Sequence, residues 1–379
     1  MKHPFIIFGS IGTLLIVGAS VWIFFFLVYV PAPKTVALAP NPFVEGDATN
    51  GFEKIPEVHS AAEATSTTPY SLHHITTRKV VGAVAMDDGS YRFVEAGTGH
   101  VYEINAGGIE TRLSNTTFAQ AQKAAWSTIG NRVAISRETE TGTETFVGTL
   151  APSDAAGMVL DGTILAGGSS NVALSSSGDT LFYTIKTPSG LSGISRNLKT
   201  NKELALFSIP LQEVTVSWEP HILIVTKASA ELPGYAYRSD LTRVSESLPA
   251  LTARAQGDST VFSGRVGTTL VSWIRRGKDT ISLTQGVIPQ KCAFQGDTLL
   301  CAVPKNFESM TYPDAWYRGE TSYDDTLWMF NVQDGTGKVI VDLNEIAKKP
   351  LDVSEIVSDA TGFHFIDKTE SGLWHITLE

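Results

Sequence analysis

The chain has 379 residues, of which 42% are hydrophobic and 18% charged, with a formal net charge of −10. That balance supplies a sizeable core and excludes a disordered chain. The acidic sign excludes nucleic acid as a partner, which needs a basic footprint; the densest basic cluster, Arg275-Arg276-Gly277-Lys278, reads as a solvated turn.

Phe5 to Val30 is a run of 26 residues without a charge. At ~1.5 Å per residue a helix of that length exceeds the ~30 Å hydrocarbon core of a bilayer. Residues 1–30 are therefore expected to form a transmembrane signal-anchor, with residues 5–30 in contact with membrane lipid. A cleaved signal peptide is the alternative: Ala37-Leu38-Ala39 has the small-x-small form, but the apolar run is longer than such peptides carry. Lys2 and the α-amino group precede the run, and the positive-inside rule then puts the N-terminus in the cytoplasm. The expected location is the plasma membrane, single-pass, with the remaining chain outside the cytoplasm.

Residues 31–69 hold six prolines, with Ala, Thr, Ser and Glu filling much of the rest. Proline fixes φ and removes a donor, so the stretch reads as an extended tether.

From residue 80 one pattern recurs: a short apolar strand, a tight polar turn, a second apolar strand. It appears at Met86-Asp87-Asp88-Gly89, Ser127-Thr128-Ile129-Gly130, Ser175-Ser176-Ser177-Gly178, Ser217-Trp218-Glu219-Pro220, Gln256-Gly257-Asp258, Gln295-Gly296-Asp297 and Ser358-Asp359-Ala360-Thr361-Gly362. Gly89 to Gly362 covers 273 residues in six steps, 45.5 per step. Four-stranded propeller blades repeat at ~40–50 residues, whereas a β-sandwich does not return one strand–turn–strand motif at that period. The predicted fold is all-β: a seven-bladed β-propeller over residues 70–379. The seventh repeat supplies only three strands, near Val353–Val357, Gly362–Asp367 and Leu373–Leu378. An open last edge is an aggregation template, so the unassigned segment Leu72–Arg78 is expected to close the ring as its fourth strand.

At Trp126-Ser127-Thr128-Ile129-Gly130 and Leu174-Ser175-Ser176-Ser177-Gly178 the chain resembles the TolB-like and WD-repeat propellers. Through Gly97–Glu103, Leu300–Pro304 and Tyr312–Gly319 its layout also resembles uncharacterised membrane-anchored propellers of candidate-phylum bacteria. The resemblance implies a fold and a location and carries no activity.

The two cysteines are Cys292 and Cys301. If Gln295–Thr298 is the turn, they oppose each other across a hairpin, within disulfide range, and an exported domain permits the bond. Two reduced, half-buried thiols are the alternative. The sixth repeat is overlong, at 66 residues from Gly296 to Gly362. Its excess, Lys305–Tyr323, carries Phe307, Tyr312, Asp314, Trp316, Tyr317, Arg318, Glu320 and Tyr323. Aromatics with Arg are the residue types of interaction hot spots, which makes Tyr312, Asp314, Trp316, Tyr317, Arg318 and Tyr323 a candidate binding loop. The other reading is that the rings pack the insertion onto its blade.

His73 and His74 are adjacent on a strand and point to opposite faces, as do Asp87-Asp88 and Asp324-Asp325. No calcium loop, nucleophile elbow or phosphate loop is present in the sequence. No cofactor is expected. The chain reads as a binding or scaffold module for protein partners or cell-envelope glycans. One alternative is an extracytoplasmic enzyme, a glycan hydrolase or lyase with carboxylates at the central funnel; another is a structural component of an envelope assembly.

Overall fold

The computed structural model describes residues 70–378 apart from 141, 154–156, 166, 219, 220 and 309. The expected transmembrane segment and tether lie outside the described residues. Among those described, no helix is long and apolar enough to cross a membrane.

Seven antiparallel sheets follow one another along the chain. Blade 1 is Val80–Ala85, Tyr91–Glu95, Val101–Ile104 and Glu110–Arg112. Blade 2 is Lys123–Trp126, Arg132–Thr139, Gly142–Ser153 and Gly157–Ile164; blade 3 is Ser169–Leu174, Thr180–Thr187, Gly190–Asn197 and Glu203–Ile209. Blade 5 is Thr252–Gln256, Ser259–Val266, Thr269–Arg276 and Asp279–Ser282; blade 6 is Cys292–Gln295, Thr298–Pro304, Asp325–Asn331 and Gly337–Asp342. Blade 7 takes Val353–Ser358, Gly362–Asp367 and Leu373–Leu378 from the C-terminal end and Tyr70–Thr76 as its outer strand.

Blade 4 departs from the four-stranded expectation. Val214–Ser217, Leu223–Thr226 and Ala236–Arg238 form three strands, and Pro233–Gly234 pairs with Leu248–Pro249 as a separate ribbon. Two prolines face each other in that ribbon, and neither can donate to a ladder. The fourth strand is reduced to a bridge between Tyr237 and Arg243.

Hydrogen bonds between the first strands set them around a common axis. Trp126 Nε1 donates to the Gly82 carbonyl of blade 1 (3.2 Å), Asn171 Nδ2 to the Val214 carbonyl of blade 4 (3.2 Å), and Ser358 Oγ to the Phe294 carbonyl of blade 6 (3.0 Å). Blades 1 and 2 approach so closely that a Cβ on Gly82 would sit 2.2 Å from the Ala124 carbonyl oxygen. The hydrophobic core lies between blades. Val94 and Val101 of blade 1 pack with Val133 and Ile135 of blade 2, and Leu300 and Leu327 of blade 6 pack with Phe363, Phe365 and Ile376 of blade 7.

The repeated turns take the left-handed backbone their sequences suggest: Gly89, Gly130, Gly178, Gly257 and Gly296 have φ between +57° and +78°. Blade 7 turns differently. There Asp359 Oδ1 accepts from the backbone of Thr361 (3.0 Å) and Gly362 (2.9 Å), an Asx turn.

The ring closes through Tyr70–Thr76, which pairs antiparallel with Leu373–Leu378 from Tyr70↔Leu378 to Thr76↔Leu373. A bulge between His74 and Thr76 interrupts the alternation read from the sequence. Leu72 packs into the blade 6–7 core and Ile75 into the blade 7–1 core. The seam to blade 1 is polar at one end. Asp359 meets His364 Nδ1 at 3.1 Å and His375 Nε2 at 3.4 Å, and Tyr91 of blade 1 donates to it at 3.4 Å. Burial alone would raise the Asp359 carboxyl, but the hydrogen bonds from both histidines and from the Thr361 amide outweigh it and hold the carboxyl well below its usual range.

Cys292 and Cys301 are opposed in the blade-6 hairpin and joined as a disulfide. Both are buried among Val261, Val287, Leu299 and Phe330.

Removing the closing strand should expose the edge of Leu373–Leu378 and loosen both cores it touches. A chain beginning at residue 70 is expected to fold as a monomer, and one beginning at residue 80 to aggregate or melt far lower. Calorimetry with light scattering checks this; equal melting temperatures would place the closure elsewhere.

Candidate functional site: the blade-6 insertion

In an antiparallel blade the connections after the second and fourth strands lie at one end of the sheet. The segment between Thr298–Pro304 and Asp325–Asn331 therefore emerges on the same face as the links between blades. It folds back over blade 5. Tyr312, Trp316 and Tyr323 are 0%, 3% and 5% exposed and, with Phe307, pack on Ala250, Leu270 and Ile288. These three rings make a small core under the insertion, so no partner can reach them while the insertion is seated.

Polar contacts tie the insertion to its neighbours. Asp314, which opens the short helix Asp314–Tyr317, accepts from the Ala230 amide of blade 4 at 2.6 Å. Tyr312 shares a hydrogen bond with Thr252 of blade 5 at 3.1 Å, and Lys368 of blade 7 donates to the Trp316 carbonyl at 2.6 Å.

Beneath it lies a buried charge network. Lys291, Asp325 and Asp352 are each 0% exposed, with Lys291 Nζ 2.6 Å from Asp325 Oδ2 and 2.5 Å from Asp352 Oδ1. Trp316 Nε1 donates to Asp352 at 3.1 Å and Ser322 Oγ donates at 3.1 Å. The Val353 amide donates to Asp325 at 2.7 Å. The rings of Trp316 and Tyr323 stand 5.4 and 5.1 Å from the ammonium, within cation–π range. Burial pushes the Asp325 carboxyl up to about 6, against the pull of Lys291. The network helps fix where the insertion sits: Asp352, from the link into blade 7, and Lys291, from the blade 5–6 link, both contact Trp316.

The exposed part is small. Tyr317 is 48% exposed and Met310 57%; Arg318 pairs with Glu320 at 2.7 Å, both largely in solvent. Asp314 lines an open cleft with Glu213, Lys227, Ser229 and Leu232. Of the six candidate residues, then, Arg318 faces solvent, Tyr317 is half-exposed with its ring against Trp316 and its phenol pKa raised by burial, Asp314 borders the cleft, and Tyr312, Trp316 and Tyr323 lie inside.

Sequence reasoning missed Lys291, Asp325 and Asp352. A lysine between Val287-Ile288-Pro289 and Cys292-Ala293-Phe294 is the one local signal, a single charge inside an apolar run. The Asp324-Asp325 pair divides as its strand parity requires: Asp324 bonds outward to Lys305 (3.0 Å) and Asn344 (3.0 Å), Asp325 inward to Lys291. Among the described residues no group of three or more His, Cys, Asp or Glu could hold a metal ion. His74 instead stacks on Trp374 at 4.3 Å.

No protein-family model matches this chain, and no curated protein matches it in sequence. Its fold is shared with solved structures. Virginiamycin B lyase from Staphylococcus aureus aligns at a TM-score of 0.52 and 11% identity, over 82% of this chain and 100% of that one. The propeller domain of the trilobed protease from Pyrococcus furiosus, described as having an open velcro topology, aligns at 0.50 and 10% identity, over 79% and 95%. TolB from Acinetobacter baumannii is also similar, at 0.39 and 11% identity, over 62% of this chain and 57% of that one. At these identities the likeness is one of fold. Unlike an open ring, this one is latched by Tyr70–Thr76.

Replacing Lys291 by Met should strand two buried carboxylates and cost about 3–5 kcal/mol at neutral pH. A carboxyl whose folded pKa is raised binds its proton more tightly in the folded state, so stability falls as pH rises from the ordinary carboxylate range toward that pKa. Lys291→Met, with the opposing ammonium gone, is expected to recover stability on acidification from pH 7 to 5 more than the wild type does. Denaturant midpoints at the two pH values check this; a loss under about 1 kcal/mol would make the network incidental.

Proposed function

We propose that the chain is a membrane-anchored, extracytoplasmic binding or scaffold module that presents the insertion-bearing face of its propeller to a protein or cell-envelope glycan. The observation that carries this is the seating of the insertion: it is fixed to blades 4, 5 and 7 by Asp314, Tyr312 and Lys368, it leaves Arg318 and about half of Tyr317 in solvent, and its Asp314 borders a cleft. A surface held this rigidly loses little conformational entropy on binding. The anchor and tether read from residues 5–30 and 31–69 would hold the propeller off the bilayer.

The enzyme reading is less well supported. Glycoside hydrolysis uses two carboxylates flanking the scissile bond. The seven innermost strands carry three titratable side chains, Lys123, Arg254 and Glu355, and only the last is a carboxylate.

Two measurements test the proposal. Protease added outside intact cells should cut within 31–69 and release the propeller, whereas cleavage only after lysis would reverse the orientation. In crosslinking from intact cells, Tyr317→Ala and Arg318→Ala should each lower partner recovery at an unchanged melting temperature. Trp316→Ala, by contrast, should destabilise the fold by ~3–5 kcal/mol. Undiminished recovery in both surface variants would remove the insertion from the interface.

A further inference from the structure

The three charged side chains of the innermost strands stand at one level of the ring. Lys123 is three residues before the end of Lys123–Trp126, Arg254 two before the end of Thr252–Gln256, and Glu355 three before the end of Val353–Ser358. Each of these strands runs from the inter-blade links toward its tight turn, at ~3.3 Å per residue, so the three differ by about one residue in height. They come from blades 2, 5 and 7, not from adjacent blades.

Glu355 is held there in an unusual way. Its φ is +50°, in the left-handed region that a residue with a Cβ rarely adopts. It lies in a bulge, where the pairing jumps from Ser354↔Ile366 to Val357↔His364. One other inner strand repeats this arrangement. Asn171 of blade 3, three residues before the end of its strand, has φ +48° in the bulge between Ser170↔Thr184 and Ala173↔Phe182. Asn171 has a structural reason for its conformation: its side chain donates to Thr184 Oγ1 (3.0 Å) and the Val214 carbonyl (3.2 Å) and accepts from the Val216 amide (3.0 Å), stitching blade 3 to blade 4. Glu355 has none. Exposed by residue but surrounded by protein at its carboxylate, it makes no hydrogen bond or ion pair to any described residue.

The two cations of this level form no ion pair with a described residue. The Lys123 side chain has no partner among the described residues. Arg254 uses only Nη1, which donates to the carbonyls of Gln290 (3.2 Å) and Cys292 (2.9 Å), so the guanidinium is oriented while Nε and Nη2 make no bond to a described residue. The three charges act on one another: surrounding protein pushes the Glu355 carboxyl up, and Lys123 and Arg254 pull it back down. Residues held in sparsely populated backbone regions cluster at functional sites.

We propose that the inner strands of the propeller bind a small zwitterion at the ring axis, with Glu355 receiving its ammonium group and Lys123 and Arg254 its carboxylate. A purely anionic ligand would be repelled by Glu355, and a purely cationic one by Lys123 and Arg254. A ligand bearing both groups, a free α-amino acid or a short peptide with both termini, matches both signs. The site is independent of the Tyr317–Arg318 surface.

The test is calorimetric titration of the full-length, detergent-solubilised protein with alanine, Ala-Ala, N-acetyl-Ala-Ala and Ala-Ala amide. Alanine or Ala-Ala should bind, and which of them does so separates the amino acid from the peptide. N-acetylation should weaken binding to the wild type roughly tenfold or more, yet change nothing further in Glu355→Gln, because the two changes remove the same contact. C-amidation should behave likewise toward Lys123→Met. Glu355→Gln should melt as the wild type does, and Glu355→Gly, which relaxes the left-handed backbone, at the same temperature or higher. The proposal is overturned if neither zwitterion binds more tightly than about 10 mM. It is equally overturned if Glu355→Gln binds as the wild type does, or if Glu355→Gln and Glu355→Gly both melt well below it, which would make the carboxylate structural.

Discussion

The pairing of Tyr70–Thr76 with Leu373–Leu378 is the constraint on which the rest of the molecule depends. A propeller buries its apolar surface between blades, so each blade needs two neighbours. Six interfaces follow from chain order, and the seventh, between blades 7 and 1, forms only if the ends of the sheet array meet. The closing strand supplies a ladder to the last C-terminal strand and side chains to both adjoining cores. It also runs directly into Arg78, which pairs with Glu95 at 2.6 Å and Glu110 at 2.5 Å of blade 1. One short segment thus fastens blade 7 and delivers the chain to blade 1.

The closed ring gives fixed positions to two polar systems of different kinds. Lys291, Asp325 and Asp352 lie between blades and are satisfied by one another and by Trp316. Such a buried network adds little net stability over an apolar replacement but penalises any other seating of the insertion. Lys123, Arg254 and Glu355 lie on the inner strands and form no ion pair with a described residue. The first system positions a loop; the second leaves binding capacity open.

Much of the architecture was legible in the sequence because it rests on local chemistry. The turn glycines repeat at blade length, the three C-terminal strands fall within a residue of their expected bounds, and the Cys292–Cys301 register follows from the hairpin turn. Blade 4 was less legible. Its turn motif marks only the first two strands, and the prolines that reduce its outer part act through pairing partners distant in sequence. The insertion was legible in length but not in orientation. Tyr312, Trp316 and Tyr323 look in sequence like Tyr317, and only the neighbouring blade decides which rings are covered. The charges on the inner strands left no motif at all, because Lys123, Arg254 and Glu355 are far apart in sequence and come from three separate blades.

The N-terminal strand is an integral part of the last blade and not an appendage laid against it. Amide hydrogen exchange measures this directly, since strands that open only with the whole domain exchange at the global unfolding free energy. The ladder amides of Tyr70–Thr76 and Leu373–Leu378 should exchange as slowly as those of Phe363 and Phe365 in the same blade. Rapid exchange of Tyr70–Thr76 while Leu373–Leu378 stays protected would show an edge that frays on its own, and would contradict the closure.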